Sequence, residues 1–503
     1  MATKYAVIIG AGPAGLTAAY ELLQRKTDII PLVVEQADFV GGIARTYDFN
    51  GFKMDMGGHR FYSSDPSWMQ WWQKILPLED ASLGRKAEAT EDILLLRPRH
   101  SHILYQRKLF RYPVTLSLDT VFKLGLPKLI WCGLSYLKAC WLPRPEKSLA
   151  DFMINRFGRA LYATFFRDYT QKVWGVPCED LPPDWGGQRI KGISLKKVFT
   201  SAWQQAAERW RRRWPGNSSA NPPAASFKED LGQKGKEVSF IDCFVYPKYG
   251  PGQLWEKVAQ QISAQGGIIH LNTQVVGLQA QEGKITGVVV QNNNSKKIIP
   301  ADYVLSSMPL KDLMRSLLVT PEIAATAQEA WKIAQGLVYR DFRTVGLRIR
   351  KDAAAQKYLA KDTWIYVQEK DVQLGRIQVF NNWSPYLLPS FARAREWWLG
   401  LEYFCNEGDA LWSRTATAMV DFASNELIKL GLIKEGDVLG GCSLRVAKAY
   451  PSYFGTYPAL DVLKKFLGQF TNLYLIGRNG THQYNNMDRS MATAAQAVEQ
   501  LLR

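Results

Sequence analysis

Cysteine and histidine are scarce in this sequence, and neither residue type is arranged to hold a metal ion or a disulfide framework. The 503 residues include six cysteines and five histidines. No two cysteines have the C-x-x-C spacing of a zinc site, and their wide scatter is unlike that of a small secreted domain. We therefore predict no metal site and a reducing compartment.

Long apolar runs are also missing. No uninterrupted stretch reaches the roughly 20 apolar residues that a membrane-spanning helix needs. A glycine-rich motif begins within the first ten residues, which leaves no room for a signal peptide before it. These features predict a cytoplasmic protein, with peripheral attachment to the inner face of the cell membrane left open.

Acidic residues are outnumbered by basic ones. The chain has 63 lysines and arginines against 46 aspartates and glutamates, a net charge of +17. Such an excess of positive charge favours an anionic partner. The candidates are a nucleic acid, a phosphorylated substrate and a membrane surface. The basic residues follow no zinc-finger or basic-region pattern, so we expect a phosphorylated substrate or a membrane and no nucleic acid.

The stretch that organises the chain is Tyr5–Leu22. An apolar run, Ala6–Ile9, is followed by Gly10, Gly12 and Gly15 in the spacing G-x-G-x-x-G, and then by an alanine-rich helical pattern. The first glycine permits a tight turn, the second lets a pyrophosphate approach the backbone, and the third lets helix and strand pack closely. The free N–H groups of the helix N-terminus favour phosphate binding.

The next apolar run strengthens this interpretation. Ile29–Val34 ends at Glu35, where an acidic residue accepts hydrogen bonds from a ribose. Gly41, Gly42 and Arg45 follow. This sequence is more typical of FAD proteins than of NAD dehydrogenases.

The later strand and helix patterns predict an α/β fold in which the nucleotide-binding domain is discontinuous. We expect a Rossmann-type FAD-binding domain, a second domain with an antiparallel sheet that binds the substrate, and a helical insert. Their predicted ranges are 1–60, 240–310 and 470–503 for the FAD-binding domain, 61–115 and 311–469 for the substrate domain, and 116–239 for the insert.

The predicted insert contains two tryptophan-rich, basic stretches. Leu116–Pro143 is apolar but is interrupted by lysines and Pro127, so it is either a buried helical pair or an interfacial element. In Lys196–Trp214, four aromatic residues share one helical face, which either packs on its own domain or docks on an anionic membrane surface. Pro215–Ser239 has the composition of a flexible linker.

Eight stretches together resemble the UDP-galactopyranose mutases, flavoenzymes of the wider FAD-dependent amine oxidase and protoporphyrinogen oxidase type. They are Gly10–Gly15, Glu35–Arg45, Met56–His59, Tyr169–Pro177, Trp185–Arg189, Val345–Arg350, Phe380–Tyr386 and Gly477–Asp488. The first two occur in many flavoproteins. The stretches around Tyr169, Trp185, Phe380 and Tyr484 are more specific to the mutases.

The resemblance implies a redox-neutral reaction that interconverts the pyranose and furanose forms of an activated sugar on a reduced FAD. The flavin N5 attacks the anomeric carbon and expels the phosphate, and the adduct lets the sugar ring open and reclose. By this match His59, Arg189 and Arg350 are catalytic, with both arginines gripping the phosphate. The substrate-binding residues by match are Trp174, Arg189, Arg350, Tyr386, Tyr484 and Asn486.

The resemblance also implies the residues around the cofactor and a reductant. The cofactor-binding residues by match are Gly10, Gly12, Pro13, Ala14, Gly15, Glu35, Gly42, Arg45, Gly58, His59, Val276, Gly477, Arg478, Met487 and Asp488. NAD(P)H is the reductant by family likeness, although the chain has no second complete G-x-G-x-x-G motif.

Two positions depart from the mutase pattern, and one segment has no counterpart. Asn486 stands where bacterial mutases have Asp, and Gln171 stands where they have an acidic residue. No clear uridine-binding segment is present. This absence favours a carrier other than a nucleotide, such as a polyprenyl phosphate. The choice between a nucleotide and a polyprenyl phosphate, the sugar and the oligomeric state stay open.

Two other readings of the sequence remain. An FAD-dependent oxidoreductase, such as an amine oxidase, a desaturase or a protoporphyrinogen-oxidase-like enzyme, shares the Glu35 and Gly41–Gly42 signature and needs an apolar channel. It does not need two arginines on a phosphate. A flavin-binding membrane protein without catalytic activity is the third reading.

Overall fold

The computed structural model describes residues 3–114, 118–183, 241–293, 295–351, 356 and 358–503. In chain order its strands are β1 Lys4–Ile9, β2 Ile29–Val34, β3 Thr46–Phe49, β4 Phe52–Asp55, β5 Leu94–Pro98, β6 Ser101–Tyr105, β7 Lys108–Arg111, β8 Cys243–Pro247, β9 Ile268–His270, β10 Gln274–Gln281, β11 Lys284–Asn292, β12 Ser295–Pro300, β13 Tyr303–Ser306, β14 Leu337–Arg350, β15 Trp364–Val367, β16 Arg376–Val379, β17 Glu396–Cys405, β18 Val438–Gly455 and β19 Leu473–Leu475.

The α-helices of the same residues vary from one turn to about five turns in length. In chain order they are α1 Pro13–Gln24, α2 Pro66–Ile75, α3 Leu118–Leu124, α4 Leu126–Trp141, α5 Leu149–Phe165, α6 Arg167–Trp174, α7 Pro251–Ala264, α8 Leu310–Leu317, α9 Pro321–Thr326, α10 Gln328–Gln335, α11 Phe380–Trp383, α12 Ser390–Arg393, α13 Ala410–Ser413, α14 Ala416–Lys429, α15 Leu460–Leu467, α16 Gly477–Gly480 and α17 Met487–Leu501.

A five-stranded parallel sheet forms the first layer, in the order β19-β13-β1-β2-β9. Its strands are apolar on both faces because helices cover both sides. One face packs against α1, α7 and α17, and the other packs against α8, α10 and α15. The carboxyl ends of β1, β2 and β13 meet at one edge, where ligands bind in open α/β sheets.

A seven-stranded sheet forms the second large layer, in the order β18-β14-β17-β16-β15-β6-β7. Its pairs are antiparallel except for β15 and β6, which run parallel. The long central strands β14 and β17 pair without a break from Asp341–Cys405 to Arg350–Glu396. This sheet therefore provides a long continuous surface beside the nucleotide-binding layer.

The sequence prediction of an α/β fold with a Rossmann-type domain and a second, mainly antiparallel sheet is confirmed. The last helix spans Met487–Leu501. The stripe in Lys196–Trp214 and the motif Trp185–Arg189 lie outside the described residues. None of the helices that the structure describes is both long and apolar enough to cross a bilayer.

Candidate functional site

The glycine-rich turn joins β1 to α1 with almost no space between them. Gly10 has φ +100°, and a Cβ on Gly15 would lie 1.8 Å from the Gly10 carbonyl oxygen. Pro13 and Ala14 form the first turn of α1, which begins after Gly12 without a side-chain cap. Its first N–H groups are thus left available to a phosphate.

Glu35 lies at the end of β2 beside this turn. Its carboxylate accepts hydrogen bonds from the backbone N–H groups of Ala11 at 2.8 Å and Ala37 at 2.9 Å. A carboxylate has about four acceptor positions, so capacity remains for ribose hydroxyls. Gly42 approaches Gly12 so closely that a Cβ on it would lie 3.2 Å from the Gly12 Cα.

Two further residues from the cofactor prediction flank this region. The Arg45 guanidinium lies over the Phe39 ring, 3.6 Å from its centroid. Val276 lies at a register irregularity of β10, between Val275 and Gly277. It is three residues beyond Thr273, whose N–H donates to the Glu35 carbonyl oxygen.

The C-terminal residues return to the same crevice. Gly477 has φ +70°, and a Cβ on it would lie 2.9 Å from the Ala14 Cβ. Helix α17 begins at Met487 with Asn486 as an exposed N-cap that makes no side-chain cap hydrogen bond. Asp488 accepts a 2.8 Å hydrogen bond from the Ser63 hydroxyl, and burial raises the pKa of its carboxyl.

The Gly57-Gly58-His59 turn lies between the two large sheets. A Cβ on Gly58 would lie 1.8 Å from the Trp364 ring, so this position requires glycine. Burial and the nearby Arg478 guanidinium lower the pKa of His59 to about 4, which leaves the imidazole neutral at pH 7. Among the described residues its Nδ1 atom has no hydrogen-bond partner. His59 therefore offers a solvent-shielded polar atom without a partner among those residues, although the residue itself is only partly buried.

Next to this turn, Arg376 of β16 is largely enclosed by polar groups from three other elements, with 14% of its side chain exposed. It donates to the Tyr169 hydroxyl at 2.6 Å, to Glu402 Oε2 at 3.1 Å and to the Tyr450 hydroxyl at 3.5 Å. Gln378 donates to the other Glu402 oxygen at 2.9 Å. Burial raises the pKa of the Glu402 carboxyl, and Arg376 opposes that rise.

Aromatic rings connect this arginine to the nucleotide crevice. Tyr450 and Tyr484 stack with centroids 5.1 Å apart and planes 7° apart, and Trp174 meets Tyr484 edge-on at 6.3 Å. The Arg478 guanidinium lies 4.9 Å from the Tyr484 centroid and donates to the Ala449 carbonyl oxygen. Trp174, Tyr484 and Arg478, which the sequence predicted together, thus lie in one wall.

Two more arginines lie close to Arg376. Arg60 contacts the rings of Trp364 and Trp383, and its Nη2 donates to Ser101 at 3.1 Å. Burial and the neighbouring Arg99 guanidinium lower the pKa of Arg60 to about 10, with a smaller contribution from Arg376. In the described part of the chain neither Arg60 nor Arg99 has an ion pair, and the Nε atom of each has no partner. Arg60, which is desolvated and has no counter-ion in that part of the chain, favours the binding of an anion.

Three predicted substrate residues lie elsewhere or cannot be placed. Arg350 is exposed at the end of β14, six residues beyond Thr344, which pairs with Glu402. At about 3.3 Å per residue this is about 20 Å from the buried arginine. Tyr386 contacts Lys248 and Arg393 in a separate cluster. Arg189 lies outside the described residues.

Sequence reasoning did not select Arg60, Arg99, Arg376, Glu402 or Tyr450. Arg376 and Gln378 alternate with apolar residues along β16, a pattern that usually marks a solvent-exposed strand face. Here that face is covered by α6 and by the Gly57–His59 turn. A usable signal was the position of Arg60 directly after the Gly-Gly-His motif.

The residues present fit an FAD molecule. The glycine cradle and two helix N-termini without side-chain caps suit a pyrophosphate and a flavin ring, and Glu35 suits the adenosine ribose. His59, whose Nδ1 has no partner among the described residues, and the exposed Gly58 are available for contact with such a group.

Comparison with known proteins supports this assignment of the nucleotide crevice. Residues 8–75 match the family model described as an NAD(P)-binding Rossmann-like domain. A curated 4,4'-diapophytoene desaturase (4,4'-diapolycopene-forming) from Methylomonas sp is 23% identical over 313 residues. The match covers 60% of this chain and spans about half, 54%, of the length of that desaturase.

Solved structures resemble the whole chain. A reduced UDP-galactopyranose mutase superposes with a TM-score of 0.75 at 20% identity, covering 100% of this chain and 96% of that one. Cyclohexylamine oxidase from Brevibacterium oxydans IH-35A superposes with a TM-score of 0.59 at 12% identity, covering both chains completely. At these identities the likeness concerns the fold. The chain has the same overall fold as the reduced UDP-galactopyranose mutase and the cyclohexylamine oxidase.

Proposed function

We propose that this protein is an FAD-dependent mutase that interconverts the pyranose and furanose forms of a sugar activated by an anomeric phosphate. The carrier is a nucleotide or a polyprenyl phosphate. The reduced flavin would supply the nucleophile at the anomeric carbon, and NAD(P)H is the proposed reductant.

The observation that carries the proposal is the cluster of Arg60, Arg99 and Arg376. Arg60 lies close to both Arg99 and Arg376, and of the three only Arg376 pairs with a carboxylate of the described residues, that of Glu402. A leaving phosphate would neutralise this excess positive charge and would be stabilised as the glycosidic bond breaks. An oxidase that acts on an apolar amine has no need of such a cluster.

The surrounding residues have distinct roles in this proposal. Tyr169 and Tyr450 orient Arg376 through their hydroxyl groups. The stacked Tyr450 and Tyr484 rings and Trp174 exclude water and form a wall for the sugar. His59, neutral at pH 7, would accept or donate one hydrogen bond at Nδ1 without adding charge beside Arg478.

Lys172 holds the helix that carries Tyr169. Its ammonium group donates to the carbonyl oxygens of Val367, Glu369 and Leu374. These bonds fix α6 on the seven-stranded sheet, so Lys172 acts as a positioning residue for the Tyr169–Arg376 contact.

The test is isomerisation by the dithionite-reduced holoenzyme. We would incubate it with UDP-galactose and, separately, with a polyprenyl-phosphate galactose, and identify the product by NMR. Furanose signals from either substrate with the reduced enzyme, and none with the oxidised enzyme, are the expected result. Dehydrogenated product with steady consumption of oxygen or quinone would refute the mutase.

Substitutions of two arginines sharpen the test. Arg376→Gln should lower kcat/KM by about a hundredfold, because a charged donor at the leaving group is worth about 3 kcal/mol. Arg376→Lys keeps the positive charge opposite Glu402, so it serves as the control for a loss of folding caused by an unpaired Glu402. Arg350→Gln, at the exposed end of β14, is the matched comparison and tests the role that the sequence motif suggested for Arg350. If Arg376→Gln left kcat/KM unchanged, this residue would be excluded from the reaction.

The second candidate is an FAD-dependent oxidoreductase. The aromatic lining of the crevice, with Trp174, Phe342, Phe404 and Tyr450 in one buried cluster, also suits an apolar substrate. The desaturase and the amine oxidase among the similar proteins favour this alternative. The product analysis described above separates the two reactions.

A further inference from the structure

An uncovered apolar face runs along α3 and α4. Eight large apolar side chains there are each more than half exposed: Phe122, Leu126, Ile130, Trp131, Leu134, Leu137, Trp141 and Leu142. On α4, positions 126, 130, 134, 137 and 141 follow the three- and four-residue steps of one helical face. Together these side chains form one contiguous apolar patch, whereas an ordinary protein surface exposes apolar residues singly.

The opposite face of α4 is fixed to the body of the protein. Cys132 and Ala139 are buried against α5, and Gly158 of α5 approaches the α4 backbone so closely that a Cβ on it would lie 2.7 Å from the Tyr136 amide nitrogen. The Ala160 N–H donates to the Ser135 hydroxyl at 3.0 Å. The apolar face is therefore held outward by a fixed contact on its other side.

Basic residues continue from the end of this face. Lys138, Arg144, Lys147 and Arg159 are all exposed. Together with Arg167, the last three line a cavity of about 370 Å³ that also contains Asp151 and Glu179. Four cations against two carboxylates leave this cavity positively charged.

We propose that the α3–α4 face and the adjoining basic cavity dock the protein on the surface of an anionic lipid leaflet. Apolar and indole side chains would enter the acyl boundary while the cations meet phosphate headgroups. At 16 residues α4 is about 24 Å long, shorter than the roughly 30 Å hydrocarbon core, so it lies in the interface and does not span it. A second copy of this chain is less suited to the face, because lysine is depleted from the centres of protein interfaces.

The docking face is linked to the arginine cluster through the β6–β7 hairpin. Lys123 donates to the Leu109 carbonyl oxygen of that hairpin, and Lys128 donates to the Tyr105 hydroxyl. Arg99 lies two residues before the first strand of the hairpin. Docking would bring the arginine cluster towards the leaflet, where a lipid-linked substrate is found. The docking itself does not depend on the proposed reaction, since it is measured without turnover.

The test is flotation of the full chain with vesicles of phosphatidylcholine, with and without one third phosphatidylglycerol. The wild type should float with the anionic vesicles and at least tenfold less with the neutral ones. The triple variant Ile130→Gln, Leu134→Gln, Leu137→Gln should lose most binding. The control is Ile298→Gln with Phe391→Gln, which removes equally exposed apolar side chains elsewhere and should bind like the wild type.

A charge series tests the basic residues at the end of the apolar face, two of which line the cavity. Lys138→Glu, Arg144→Glu and Lys147→Glu together should abolish the preference for anionic vesicles, whereas Lys296→Glu with Lys297→Glu, exposed on β12, should preserve it. Wild-type protein that binds neither vesicle would overturn the proposal. So would self-association of the wild type that the glutamine triple variant abolishes, because a second copy would then cover the face.

Discussion

At the scale of single residues, the distribution of buried charge is the most informative feature of the molecule. Arg376 has one carboxylate partner, Glu402, while Arg60 and Arg99 have none among the described residues. Desolvation of an unpaired cation such as Arg60 is costly, and such groups are candidates for binding a ligand of opposite charge. These residues therefore carry more functional information than the glycine motif, which indicates the cofactor alone.

A buried histidine makes the folded protein sensitive to acid. Nε2 of His482 lies 3.0 Å from the Ser452 carbonyl oxygen, and burial lowers the pKa of His482 from 6.5 to about 4. The unfolded chain takes up this proton below pH 6.5 and the folded chain resists it until about pH 4. Stability is therefore complete above pH 6.5 and falls between pH 6.5 and 4, by up to about 3 kcal/mol for this residue.

Urea unfolding at pH 7 and pH 4.5 measures this effect. His482→Gln should reduce the difference in unfolding free energy between the two pH values, because the glutamine does not titrate. His270→Gln changes an exposed histidine and should leave the difference as in the wild type. If His482→Gln keeps the full pH dependence, the acid sensitivity has another source.

At the scale of elements, one glycine decides how α4 sits on α5. Gly158 has φ +77° inside α5, and an added Cβ would contact the Ser135 and Tyr136 backbone of α4 at 2.7–2.8 Å. Gly158→Ala should lower the unfolding free energy by about 1–3 kcal/mol, from backbone strain and from separation of the two helices. Thermal unfolding followed by circular dichroism gives the value.

The matched control is another glycine on the neighbouring helix. Gly133 is exposed in α4 and has no atom within 4 Å of a built Cβ. Gly133→Ala should therefore stabilise the protein by up to about 1 kcal/mol through helix propensity. Equal effects of the two substitutions would mean that the α4–α5 contact is not tight.

At the scale of the whole molecule, the cofactor crevice joins segments that are distant in sequence. The glycine turn, Glu35, the bulge at Val276 and the start of α17 come from three separate parts of the chain. A ligand that binds all of them stabilises the folded state by mass action, by about 2.7 kcal/mol at a hundredfold excess over Kd. We expect added FAD to raise the Tm of the apoprotein.

Glu35 provides a selective variant for this experiment. Glu35→Gln has a single acceptor oxygen, so it can accept from only one of the Ala11 and Ala37 N–H groups, and it loses the charge that strengthens ribose hydrogen bonds. FAD should therefore bind at least about tenfold more weakly. FMN lacks the adenosine half, and its weaker stabilisation should be the same in variant and wild type. A variant that loses FMN and FAD equally would place the defect in folding and not at the ribose.

The sequence by itself determined the nucleotide layer, since its signals are local. Ile29–Val34 is a strand with the predicted bounds, and the glycine spacing, Glu35 and Gly42 form one turn because neighbouring residues dictate these conformations. The later strand patterns also predicted a second, antiparallel sheet, but not its strand order.

The tertiary structure alone decided which arginines meet. Arg60, Arg99 and Arg376 are separated by up to about three hundred residues, and they converge because the seven-stranded sheet packs across the Gly57–His59 turn. The same packing leaves Arg350, which the motif favoured, exposed at a strand end. Alternation along a strand shows which residues share a face, but the element that covers that face depends on contacts between distant segments.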